Sequence, residues 1–64
     1  MSQFYVTDKE RAAIATEAVL HRRPITMSGT IGPKLGFFTG VVQSVEEDKN
    51  ATPMRWRITI LDGK

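Results

Sequence analysis

The sequence predicts an α+β fold in which one N-terminal helix packs on a small three-stranded antiparallel sheet. Two observations carry this prediction. A helix-start signal at residues 7–10 precedes a proline at position 24, and beyond that proline the apolar residues recur at every second position. An apolar period of two is typical of a strand with one buried face. The 64 residues are enough for one core, so we expect a single domain over 1–64.

The predicted helix covers residues 7–23, and residues 1–6 ahead of it form an arm or a short extra strand. Thr7 and Glu10 have the spacing of a capping box, in which the Thr7 hydroxyl accepts a hydrogen bond from the Glu10 amide. Pro24 ends the helix because the residue before a proline avoids the α conformation. The broad apolar side of the helix consists of Ala12, Ala15, Ala18 and Val19. That side either covers the sheet alone or also meets another subunit.

The predicted sheet covers residues 25–62. Its first strand buries Ile25, Met27, Gly29 and Ile31, and its third strand buries Trp56, Ile58 and Ile60. A turn over 32–36 joins the first two strands, and an acidic loop over 46–53 precedes the third.

The second strand, over residues 37–45, is less regular than its neighbours. It places Phe37, Val41 and Val45 on the buried face and Phe38 and Val42 on the opposite face. Gly40 interrupts this strand, which indicates a bulge or a strand buried on both faces.

Composition excludes several classes of protein. The chain has no cysteine, and its longest apolar run, residues 12–15, is far too short to cross a membrane. We therefore expect a cytoplasmic protein without a structural metal or a cofactor. A core this small supplies little surplus stability, so we expect a homo-oligomer, most simply a homodimer.

No catalytic constellation is recognisable. The single histidine, His21, lies among basic residues at the predicted end of the helix, and no cysteine nucleophile exists. The glycines at 29, 32, 36 and 40 do not have the spacing of a dinucleotide- or phosphate-binding loop. We expect a non-enzymatic binding protein.

The main candidate site is a basic, hydroxyl-rich outer face of the sheet. It contains Thr26, Ser28, Thr30, Arg55, Arg57 and Thr59. Arginine forks and hydroxyl groups suit phosphate oxygens, so this face is predicted to bind nucleic acid, although the same residue types are common on solvated sheets. A second basic patch consists of Arg22 and Arg23, extended by Lys34 if the hairpin turn folds back.

The alternative function is protein interaction or assembly as a homo-oligomer. In that case the exposed residues Phe4, Tyr5, Phe38 and Val42 bind the partner, and the arginines only keep the sheet soluble. Salt separates the two hypotheses, because phosphate contacts weaken steeply as ionic strength rises and an apolar interface responds much less.

Overall fold

One helix packs on a four-stranded antiparallel sheet in the computed structural model, which describes residues 2–51 and 54–61. The elements follow the chain in this order: β1 (Ser2–Val6), α1 (Lys9–His21), β2 (Pro24–Ile31), β3 (Lys34–Asp48) and β4 (Arg55–Leu61). The predicted α+β class is confirmed, and the extra N-terminal strand is present. The predicted end of the sheet at Asp62 lies outside the described residues.

The helix is capped by Asp8 and not, as predicted, by Thr7. The Asp8 carboxylate accepts a hydrogen bond from the Glu10 amide at 3.0 Å (Oδ1 to N). A carboxylate suits this position because it also faces the positive end of the helix dipole. At the other end Arg22 adopts the left-handed conformation with a φ of 53°, and its amide donates to the Ala18 carbonyl at 2.9 Å. This turn directs the chain into β2.

The sheet closes on itself into a small barrel in the order β1, β2, β3, β4. β1 runs antiparallel to β4 along its whole length, and on its other side it meets β2 at the pair Tyr5 and Thr30. The sequence pattern predicts only three strands within the sheet because β1 has five residues and the helix separates it from the others.

β3 is the longest strand and belongs to both halves of the barrel. Residues 34–41 pair with β2 and residues 41–48 pair with β4, with a bulge between Val42 and Ser44. The assignment of residues 46–48 to a loop is therefore wrong. This acidic segment continues β3 because it lies opposite the arginines of β4, and opposite charges stabilise a cross-strand pair.

The bulge reverses which residues of β3 face the core. Ahead of it Phe38 and Val42 point inward while Phe37 is 81% exposed, and beyond it Val45 packs against the core. The prediction that Phe37 and Val45 share a buried face is wrong. One extra residue in a strand shifts the period of two by a full face, so a single alternation cannot describe both halves.

The core lies between the barrel and the helix. Its buried apolar residues are Phe4, Val6, Ala12, Ala15, Ala18, Met27, Val42, Ile58 and Ile60. The three alanines belong to the apolar side predicted for α1, which therefore covers the sheet. Met27, Ile58 and Ile60 are buried as predicted for β2 and β4, but Ile31 is 51% exposed, so the prediction that it is buried is wrong. It lies at the end of β2 next to the hairpin turn, beyond the core.

Phe4 is the largest fully buried side chain, with 1% of its surface exposed. Its ring stacks on Phe38 with 4.5 Å between the centroids and 4° between the ring planes. It also lies against Gly29 of β2, where an added β-carbon would overlap the ring and sit 2.9 Å from the Tyr5 carbonyl oxygen. The missing side chain at Gly29 therefore allows β1 to approach β2 and the barrel to close.

The Gly29→Ala variant tests this close approach. The added methyl group displaces Phe4 or β1, and we expect a loss of about 1–3 kcal/mol in the free energy of unfolding, the usual cost of overpacking a core. Gly36→Ala is the matched control, because its β-carbon would meet the Phe38 ring at an ordinary 3.7 Å. Urea denaturation measures the free energy of unfolding of both variants. Equal midpoints for the two variants would contradict the role given to Gly29.

Candidate binding surfaces

Arg57 lies in a row of polar side chains that the strand register sets across the outer face of the barrel. Its neighbours in this row are Tyr5 of β1 and Glu46 of β3. The guanidinium donates to the Glu46 carboxylate at 2.9 Å (Nη2 to Oε1). This hydrogen bond and the charge of Glu46 raise the pKa of Arg57, and the Tyr5 hydroxyl adds a smaller effect of the same sign. Arg57 therefore stays cationic at every working pH.

Arg55 is held by two different contacts. Its Nε donates to the Asp48 carboxylate at 3.0 Å, and Asp48 lies directly opposite it in β3. The centre of the same guanidinium lies 4.0 Å from the centroid of the Tyr5 ring, which is a cation–π geometry. Tyr5 thus supports both arginines, one through its ring and one through its hydroxyl.

The two arginines are balanced by two carboxylates. The pairs Arg55 with Asp48 and Arg57 with Glu46 are cross-strand neighbours, so this part of the outer face has no excess positive charge. Within the described residues, the buried Nε of Arg57 has no hydrogen-bond partner. A phosphate group would have to compete with the adjacent carboxylate for the charge of either guanidinium.

The hydroxyl residues of β2 lie on the outer face but are spread away from the arginines. Thr30 reaches β1, where its hydroxyl donates to the Tyr5 carbonyl at 3.4 Å. Thr26 instead shares a 2.9 Å hydrogen bond with Thr39 of β3, and Ser28 lies opposite Phe37. β1 separates β2 from β4 in the closed sheet, so the barrel brings Thr30 towards the arginines and leaves Thr26 and Ser28 on the hairpin.

Thr59 lies on β4 but is not part of an open polar face. Its hydroxyl accepts a hydrogen bond from the Gln3 side-chain amide at 3.2 Å, and 7% of the residue is exposed. The pairing of β1 with β4 covers this position, which a sheet lacking β1 would leave open.

The second predicted basic patch is not assembled by the fold. Arg22 and Arg23 are exposed at the end of α1 next to the start of β2, whereas Lys34 begins β3 at the far end of β2. The eight residues of β2 separate these cations by about 26 Å along the strand. The hairpin therefore does not fold back towards the helix end.

The apolar residues predicted to bind a partner lie inside or half inside the barrel. Phe4 and Val42 are buried, at 1% and 2% exposure, so the prediction that they are exposed is wrong. Phe38 is half-buried under the Phe4 ring, and Tyr5 is half-buried beside Arg55. The cause is again β1, which inserts Phe4 into the core and aligns the inward half of β3 with it.

A different apolar surface is exposed, on the outer side of the β2–β3 hairpin. Leu35 is 75% exposed and Phe37 is 81% exposed, two residues apart on one face of β3. Their cross-strand partners are Thr30 and Ser28. We call the outward residues of these strands the hairpin face: Thr26, Ser28, Thr30, Leu35, Phe37 and Thr39. It contains no charged side chain.

A signal for the hairpin face was present in the sequence. The turn contains only Gly32 and Pro33, and Gly32 has the positive φ, 58°, that the first central residue of a type II′ turn requires. A two-residue turn pairs Ile31 with Lys34 and hence Ser28 with Phe37. Because Ser28 faces outward, Phe37 must face outward too. The longer turn assumed over 32–36 hides this register.

Comparison with protein-family models, with curated proteins and with solved structures finds no match. The functional argument therefore depends on the geometry of the chain itself. None of the helices within 2–51 and 54–61 is long and apolar enough to span a membrane. In the same ranges no group of three or more His, Cys, Asp or Glu side chains is arranged to hold a metal ion.

Removing the two carboxylates should release the arginines for phosphate binding. We expect Glu46→Gln/Asp48→Asn to bind a labelled single-stranded oligonucleotide roughly tenfold more tightly than wild type at low salt, with a steeper loss as salt rises. Fluorescence anisotropy measures this. The control is the same variant with Arg55→Ala and Arg57→Ala added, and it should lose the increase in affinity. Equally tight, salt-sensitive binding by wild type would show that the ion pairs do not mask the arginines.

Proposed function

We propose that this protein is a non-enzymatic protein-interaction module that binds through the hairpin face. The observation that carries the proposal is the pair of exposed apolar side chains, Leu35 and Phe37, on one face of a regular strand. Side chains two residues apart on a strand are adjacent on the surface, so these two form a continuous apolar patch and not scattered exceptions.

The surroundings of this patch suit a protein partner. Hydroxyl residues border it on β2 and at the far end of β3, which supplies the polar rim that protein interfaces have around an apolar centre. Large aromatic side chains are also frequent among the residues that dominate binding energy, and Phe37 is the most exposed of the large apolar residues described. No charge on the hairpin face opposes its burial.

The non-enzymatic part of the proposal is supported by where the charged side chains lie. Arg55 and Arg57 make ion pairs on the outside of the barrel. His21 lies 3.8 Å from Glu17 on the exposed surface of α1, with 62% and 73% of the two side chains accessible. Catalysis by such groups usually requires a cleft that excludes water, whereas the depressions beside Arg57 and beside His21 are open to solvent.

Nucleic-acid binding is the second candidate function. It is favoured by the exposed cations Arg22 and Arg23 at the end of α1, whose accessibility does not depend on the ion pairs of β4. It is less well supported than protein interaction because the arginines of the outer face are already matched by carboxylates. In a nucleic-acid complex, Phe37 would serve as a stacking surface for a base.

Site-specific photo-cross-linking tests the proposed function. The photoreactive residue p-benzoylphenylalanine replaces Phe37 or, as the control, Leu20, which is 79% exposed on the helix. We expect a discrete protein adduct from position 37 and at most weak, diffuse labelling from position 20. Mass spectrometry identifies the adduct. Equal labelling at both positions, no adduct at position 37, or an adduct with nucleic acid would each contradict the proposal.

A further inference from the structure

We propose that the occupant of the hairpin face is a second copy of this chain, which pairs the open edge of its β3 antiparallel with the same edge of the first. This inference rests on the proposed function and names the partner. It concerns residues 34–40, the part of β3 that follows the hairpin turn.

One edge of this segment is open. Residues 34–41 pair with β2 on one side, and β4 joins the other side of β3 only from Val41 onward. Across the described ranges, 2–51 and 54–61, no strand pairs with the second edge of residues 34–40. A row of unpaired backbone amides and carbonyls is a template for another strand.

The register identifies the free backbone groups. Ile31 and Lys34 flank a two-residue turn, so they form a hydrogen-bonded pair, and such pairs alternate with non-hydrogen-bonded ones along an antiparallel ladder. The amides and carbonyls of Leu35, Phe37 and Thr39 therefore point away from β2, towards the open edge. These same three residues project their side chains onto the hairpin face.

Edge pairing would therefore satisfy the backbone and bring the apolar side chains of the two copies side by side on the outer face. A strand added beside residues 34–40 lies next to Leu35 and Phe37, which are 75% and 81% exposed in the single chain. The inner side of the same segment is already filled, because Phe38 stacks on Phe4. The outer surface is thus the one left for a partner to cover.

The edge is complementary to itself. A two-fold axis at Phe37 places the two Phe37 residues opposite each other and Leu35 opposite Thr39 of the partner subunit. Lys34 then lies opposite Gly40 of the partner subunit, so no two like charges meet across the ladder. A second copy can therefore meet this edge without a charge conflict, in the isologous arrangement that a two-fold dimer requires.

The edge carries little of the usual protection against self-pairing. Exposed edge strands normally carry a charged residue or a proline that discourages association, and within residues 34–40 only Lys34, at the start of the segment, is of this kind. The other strand of the hairpin is different, since the open side of β2 is contacted by β1 at Thr30 and its outward residues are polar. The first half of β3 is therefore the edge at which we expect the two copies to pair.

Charge substitution at the proposed two-fold axis tests this pairing. We expect Phe37→Lys and Phe37→Glu each to weaken self-association at least about tenfold, because like charges would then face each other across the axis. An equimolar mixture of the two variants should form a heterodimer, because opposite charges now meet. Analytical ultracentrifugation of wild type, each variant and the mixture measures this against a monomer mass of 7.2 kDa. Circular dichroism confirms that each variant folds.

Leu35→Lys is a second test and Leu20→Lys is its matched control. Both leucines are about three-quarters exposed, but only Leu35 lies at the proposed interface. Leu35→Lys should weaken the dimer and Leu20→Lys should leave it unchanged. A monomeric wild type at millimolar concentration, a dimer that survives both Phe37 substitutions, or a mixture that stays monomeric would overturn the inference. If cross-linking from position 37 captures a different protein, the proposed function stands and this inference alone fails.

Discussion

The contact between the Phe4 ring and Gly29 is the constraint on which the rest of the structure depends. It lets a five-residue strand at the start of the chain approach β2 closely enough to close the barrel. The same insertion stacks Phe4 on Phe38 and so fixes which residues of β3 face inward. The core of a 64-residue chain is small, so one buried aromatic ring makes a large contribution to it.

Closing the barrel decides the character of its outer surface. β1 brings Tyr5 beneath Arg55 and beside Arg57, while the second half of β3 brings a carboxylate opposite each arginine. Charge is therefore neutralised where the sheet is fully paired. The first half of β3 has no such neighbour on its outer edge, and there the surface is apolar and uncharged. The surface that we propose for association is thus the one without charged side chains.

Much of the fold follows from local patterns in the sequence. The proline at position 24 and the alternation in β2 and β4 correctly predict the end of the helix, the strands that follow it and the buried positions of Met27, Ile58 and Ile60. The candidate sites could not be predicted in the same way, because they depend on long-range pairing. Gly40 predicts a bulge as one of two alternatives for β3, but the position of the bulge after Val42 and the insertion of β1 depend on strand pairing. These two features bury Phe4 and expose Phe37. For the same reason the sequence pattern assigns the carboxylate partners of the arginines to a loop, although they lie in β3.

The central claim is that the open edge of β3 is completed by a second copy of the chain. Hydrogen–deuterium exchange of single amides, followed by NMR over a range of protein concentrations, tests it most directly. The amides of Gly36 and Phe38, which bond to β2, should be protected at every concentration. Those of Leu35, Phe37 and Thr39 should gain protection only as concentration rises. Rapid exchange of these three amides that does not change up to millimolar concentration would contradict the account.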